Sequence, residues 1–113
     1  MTTQADPPPG ILITTDEWQI VRAILVRHVP GREVWAFGSR VGTKDASRVK
    51  QFSDLDMAVK GDQPLPLHTL STLTDDFRES DLPYKVDIVD WATISERFRA
   101  IIESSHIVII PVG

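Results

Sequence analysis

Asp54-Leu55-Asp56-Met57-Ala58-Val59-Lys60 is the stretch from which the fold can be read. It opens acid, apolar, acid, apolar, which fits a β-strand with Leu55, Met57 and Val59 on one face and the carboxylates on the other. Asp54 and Asp56 then leave the same face roughly 7 Å apart along the backbone. Carboxylates so placed repel each other unless a cation lies between them. Hard oxygen ligands suit Mg²⁺, which takes one or two carboxylates and completes its shell with water and phosphate. Two solvated acids on an edge strand would give the same pattern, so the pair alone leaves both readings open.

On the N-terminal side lies a polar stretch from Gly38 to Lys50. It holds Arg40, Lys44, Arg48 and Lys50 against one acid, Asp45, a local charge of +3 in a chain of net charge −4. Such a loop suits a nucleoside triphosphate; taken alone it reads sooner as a solvated surface loop. Val34-Trp35-Ala36-Phe37 before it is a short apolar run stopped by glycine, the pattern of a buried strand. Gly38 lets backbone approach a phosphate closely. A strand turning into a helix there would aim free N–H groups at an anion, with Ser39 Oγ adding a donor and Arg40 a positive charge. A plain turn is the competing reading of Gly38-Ser39. Further upstream, Trp18, Val21, Ile24, Leu25 and His28 recur at helical spacing behind the capping box Thr14/Glu17, which predicts a helix over Asp16–Val29 stopped by Pro30-Gly31. His28 reads as a partner of the helix C-terminus or as surface. The proline-rich segment 1–13 is expected to be disordered or extended, leaving 14–113 as one domain.

On the C-terminal side, Leu67, Leu70, Leu73 and Phe77 mark a second helix running to Glu79, and Tyr84–Val89 a third strand. Ile94, Phe98, Ile101 and Ile102 mark a third helix, and Ile107–Ile110 a last strand. Asp87 lies between Val86 and Ile88, so it leaves the face opposite theirs. If the two acid-bearing strands share a core face, Asp54, Asp56 and Asp87 share the other. Three carboxylates so placed can hold two Mg²⁺ ions roughly 4 Å apart. Asp90 has the opposite parity and reads as a turn or cap residue. The element order predicts an α/β (α+β) fold: a small mixed sheet with helices packed on one face. Trp18, Phe37, Phe77 and Phe98 are expected in its core.

These features together resemble the nucleotidyltransferase superfamily, in its minimal nucleotidyltransferase (MNT) branch. The resemblance is carried by Phe37-Gly38-Ser39-Arg40, Ser53-Asp54-Leu55-Asp56 and Lys85-Val86-Asp87-Ile88-Val89, and it spans most of the chain from Thr15 to Ile110. Fourteen residues, Arg40 to Ser53, separate the Gly-Ser from the first acid, a longer gap than the family usually keeps. The resemblance implies a nucleotidyltransferase fold and a two-Mg²⁺ mechanism. Asp54, Asp56 and Asp87 would be catalytic and metal-binding, and Gly38, Ser39 and Arg40 would hold the triphosphate of ATP or another nucleotide. It also implies a partner, a HEPN-type toxin AMPylated by this chain as its antitoxin. A noncatalytic antitoxin that blocks its partner by contact, and a transferase acting on a small molecule, are the alternatives.

Composition narrows the setting. At 113 residues the chain makes one domain, and it has no cysteine for disulfides or thiolate metal sites. No apolar run approaches the roughly 20 residues that span a bilayer, and Met1–Asp6 shows neither a basic nor an apolar leader segment. A cytoplasmic protein is expected, with no membrane contact. Its net negative charge argues against direct nucleic-acid binding.

Overall fold

The computed structural model describes residues 6–42 and 53–112. The basic positions Lys44, Arg48 and Lys50 lie outside the described residues. Helix α1 (Thr15–His28) starts at the expected capping box: Thr14 accepts from the Glu17 N–H and Glu17 Oε1 from the Thr14 N–H, both at 3.1 Å. Gly31, at φ +79°, follows its C-terminus. Strand β1 (Val34–Phe37) is next, then β2 (Leu55–Val59), α2 (Leu67–Arg78), β3 (Val86–Asp90), a 3₁₀ turn (Trp91–Thr93), α3 (Glu96–Ser104) and β4 (His106–Ile110).

The four strands form one mixed sheet in the order β3-β2-β1-β4. β1 pairs antiparallel with both β2 and β4, and β2 pairs parallel with β3, the α2 crossover linking them. Val34, Ala36, Leu55, Met57 and Val59 are fully buried on one face, against Trp18, Val21 and Leu25 of α1 and Leu73 and Phe77 of α2. This is the expected helical layer. His28 fastens it by hydrogen-bonding Asp76 of α2, a contact that with Arg27 holds the Asp76 carboxyl below its usual range.

The opposite face carries an addition. Trp35, Phe37, Ala58 and Val89 form a smaller cluster with Trp91, Ile94, Phe98 and Ile102, so α3 packs here and not with α1 and α2. The reason lies in β1, whose four residues are all apolar and therefore need cover on both faces. Phe37 and Phe98 meet edge-to-face at 5.9 Å in this second cluster. Residues ahead of α1 are also tied in: Ile11 is buried and bridges Val41, and the Leu12 N–H donates to Arg40 O. Among the described residues, no helix is long and apolar enough to cross a membrane.

Candidate active site

Strand register builds the site. Asp87 is the pairing partner of Asp56, Asp56 of Phe37, and Phe37 of His106. These four residues make one row across the sheet on the face opposite the α1–α2 core, with neighbouring backbones about 4.8 Å apart. Asp54 stands one residue before β2 and is exposed; Asp56 and Asp87 are half-buried. Burial, then the charges of Asp87 and Asp54, push the Asp56 carboxyl up to about 6, against a smaller opposing pull from Lys85. Lys85 Nζ lies 3.4 Å from Asp87 Oδ1. Lys85 is a residue of the site to which the sequence reading gave no role; its spacing of two from Asp87 on one strand was the available signal.

Gly38 closes β1 beside this row. Its φ is +84°, and a side chain there would run into the Asp56 carboxylate. The glycine is therefore needed twice, for its backbone conformation and for the space it leaves. The chain after it makes a turn, closed by the Val41 N–H donating to Gly38 O at 3.1 Å, where a helix N-terminus was one expectation. Ser39 is exposed on that turn.

Arg40 has contacts that its sequence pattern did not announce. Its side chain is buried, with Nε donating to Ser53 O at 2.8 Å and Nη1 to Leu12 O at 2.9 Å, and the guanidinium lies 3.8 Å from the Tyr84 ring centre. Tyr84 in turn donates to Glu17 Oε1 at 3.0 Å. Arg40 thus fastens the segment ahead of α1 to the residue preceding Asp54 through Nε and Nη1. Asp90, read from sequence as a turn or cap, ends β3 buried and accepts from the Leu65 N–H at 2.8 Å.

Among the described residues, no three acidic or imidazole side chains form a closed metal-ligand set. Asp56, with Asp87 in register and Asp54 two residues before it, nonetheless fits a hard divalent cation. Burial first, and then the charges of Asp87 and Asp54, raise the Asp56 carboxyl; a cation relieves the like-charge part, and Mg²⁺ needs only one or two protein carboxylates when phosphate and water fill the rest.

Comparison with known proteins agrees with this architecture. The family model described as "Polymerase beta, Nucleotidyltransferase" matches residues 20–111. A Haemophilus influenzae protein described as "Probable protein adenylyltransferase MntA" is 47% identical over 97 residues, covering 86% of this chain and 82% of its own. A solved structure described as "Crystal structure of the toxin-antitoxin with AMP-PNP" superposes with a TM-score of 0.63 at 20% identity, over 82% of this chain and 72% of the other, and it shares the fold. With most of its length inside the family model and an MntA relative at this identity, the chain belongs to the polymerase β-type nucleotidyltransferase family, as an MntA-like minimal member.

Proposed function

We propose that this nucleotidyltransferase transfers AMP from ATP to a hydroxyl of a partner protein, as the antitoxin of a HEPN-type toxin in the cytoplasm. The observation that carries the reading is the row Asp87–Asp56 with exposed Gly38 packed directly beside the Asp56 carboxylate. Family membership brings a nucleoside triphosphate and a divalent metal. The adenylyl group and the protein acceptor come from the description of the MntA relative, and the toxin from that of the structural neighbour.

Asp54, Asp56 and Asp87 would hold two Mg²⁺ ions. When bound, these supply Lewis-acid charge at the reacting phosphate and lower the pKa of the attacking hydroxyl. The side chains Asp56 and Asp87 orient the reactants from neighbouring strands, so positions are set by sheet register and not by a loop. Gly38, exposed next to the Asp56 carboxylate, would bring its backbone to the triphosphate, with exposed Ser39 alongside as a donor. The acceptor oxygen attacks the α-phosphorus, the bond to the β-phosphate breaks, and pyrophosphate leaves. The acceptor proton passes toward Asp87, the outermost carboxylate of the row.

The test is incubation with α-labelled ATP, Mg²⁺ and the neighbouring gene product. Label is expected on that protein, and none when Asp54→Asn/Asp56→Asn replaces the wild type. Label on a small hydroxyl compound alone would favour a small-molecule acceptor. Full neutralisation of the partner without label would favour blockade by contact.

A further inference from the structure

β3 is an outer strand, bonded in the sheet only to β2. The Leu55 N–H donates to Lys85 O at 2.9 Å, so the odd-numbered residues of this parallel pair turn their backbone groups toward β2. By alternation, Val86 and Ile88 turn theirs outward. Along this edge, beneath the C-terminal half of α2, runs a cleft of about 370 Å³. It is lined by apolar Phe77, Leu82 and Ile88 and by Arg78, Lys85 and Asp87. Asp87 therefore belongs both to the cleft and to the acidic row.

We propose that this edge is the acceptor-docking site: an extended segment of the partner protein adds as a fifth strand beside β3 and presents its hydroxyl next to Asp87. The proposal rests on the protein-adenylylation reading and specifies its substrate. Three observations converge. The β3 edge offers backbone groups, and the strand has neither the proline nor the bulge that commonly protects an edge. Strand spacing puts a residue added opposite Asp87 about 4.8 Å from it and about 10 Å from Asp56, with its side chain on the acidic face. The residues before and after that one would point the other way, toward Phe77 and Leu82.

Charge defines the occupant further. Arg78 and Lys85 are each 72% exposed, and their ion pairs, to Asp75 at 3.2 Å and to Asp87 at 3.4 Å, are the surface kind that rearranges readily. Within the cleft lining itself these two cations stand against one acid, Asp87. The segment is thus apolar–hydroxyl–apolar with an acid two positions from the hydroxyl, on the face of Lys85. The other sheet edge, β4, leaves Val108 exposed but carries no carboxylate or lysine within the strand, and lies two strands from Asp56.

The experiment uses the full chain with the neighbouring gene product, in two arms. In the first, amide exchange is followed on mixing the two proteins without ATP; the Val86 and Ile88 amides are expected to slow. In the second, Leu82→Glu and Arg78→Glu are assayed for transfer. Each is expected to raise KM for the partner at least tenfold with the affinity for ATP unchanged. Arg78 is exposed, so its variant keeps the test sound if Leu82→Glu folds poorly. Normal partner KM in the Arg78→Glu variant, or unchanged exchange at Val86 and Ile88 while label still transfers, overturns edge docking and leaves the transferase reading standing. Slowed exchange at those amides without any label supports docking and removes the transferase reading.

Discussion

The two faces of the sheet are built from the same strands and behave as different materials. On the α1–α2 face, Leu55, Met57 and Val59 are wholly buried against helices, and stability there is a matter of volume. On the other face, one residue out of step, Asp56 faces Asp87 across a strand spacing with its carboxyl pushed up to about 6. That face holds charge which the described protein groups relieve only through Lys85. Alternation along a strand thus places an electrostatically strained site directly on the back of a well-packed layer.

The largest expected effect separates the faces outright. Asp54→Asn/Asp56→Asn is expected to lower transfer by at least about 10²–10³-fold, the scale of removing a main electrostatic contribution. Its thermal midpoint in EDTA should stay level or rise. Leu73→Ala on the other face should do the reverse, costing about 2–5 kcal/mol through the cavity it leaves while folded molecules keep their specific rate. The sign in pH follows from linkage. Asp56 binds its proton more tightly folded than unfolded, so metal-free wild type loses stability as pH rises from 3.8 through about 6. Denaturant titrations in EDTA across that window should show the fall in wild type and a flatter line in the variant. A double variant that is less stable yet transfers at the normal rate would make the acids structural.

Gly38 lies where the faces meet, and its effect is second. Gly38→Ala places a methyl against the Asp56 carboxylate and forces an L-residue to φ +84°. The conformational cost is about 1–2 kcal/mol. A carboxylate moved by about 1 Å costs far more in rate, on the order of 10²-fold. Transfer per folded molecule, measured beside the thermal midpoint, should therefore drop well beyond the loss of fold. A decline no larger than the unfolded fraction would mean that Gly38 only shapes the turn.

How legible these faces were depends on the distance over which each feature is decided. β1, the two main helices and the inward residues of β2 follow from local period, and the structure has β1 at Val34–Phe37 as the pattern predicts. That Asp56 and Asp87 leave a common face also follows from alternation. That they stand in the same row does not, because parallel register is set by how α2 crosses over, and no local pattern records it. The position of α3 was hidden for a similar reason: its amphipathic stripe says that it packs, not on which side. The contacts of Arg40 were hidden because its partners, Leu12 and Ser53, are 28 and 13 residues away.

Arg40 gives the third effect. Removing a buried charged donor that serves two carbonyls should cost about 1–3 kcal/mol. Arg40→Ala should lower the thermal midpoint and reduce transfer several-fold, since Ser53 adjoins Asp54, with KM for ATP unchanged. Arg40→Lys should recover little, because one ammonium cannot reach both carbonyls and lie over the Tyr84 ring. A raised KM for ATP at unchanged stability would instead return Arg40 to the phosphate.

The smallest effect belongs to the basic stretch that lies in sequence between β1 and β2. Lys44, Arg48 and Lys50 lie outside the described residues, so their influence is argued from charge alone. With Arg40 turned inward and Asp45 opposing, the three lysines and arginines leave a local charge of +2 for a triphosphate. At low ionic strength that charge attracts over about 30 Å at 0.01 M salt, and over only about 8 Å at 0.15 M. Alanine at all three positions should weaken ATP binding a few-fold near 0.01 M salt. The difference from wild type should shrink toward nothing as salt rises, while the Asp54→Asn/Asp56→Asn loss should stay put, because on the proposed reading those carboxylates would act at contact distance within a metal shell. ATP titrations of both variants across a salt series measure the contrast. A triple-alanine deficit that persists undiminished at high salt would place at least one of these side chains in direct contact with the phosphates and make the loop part of the site.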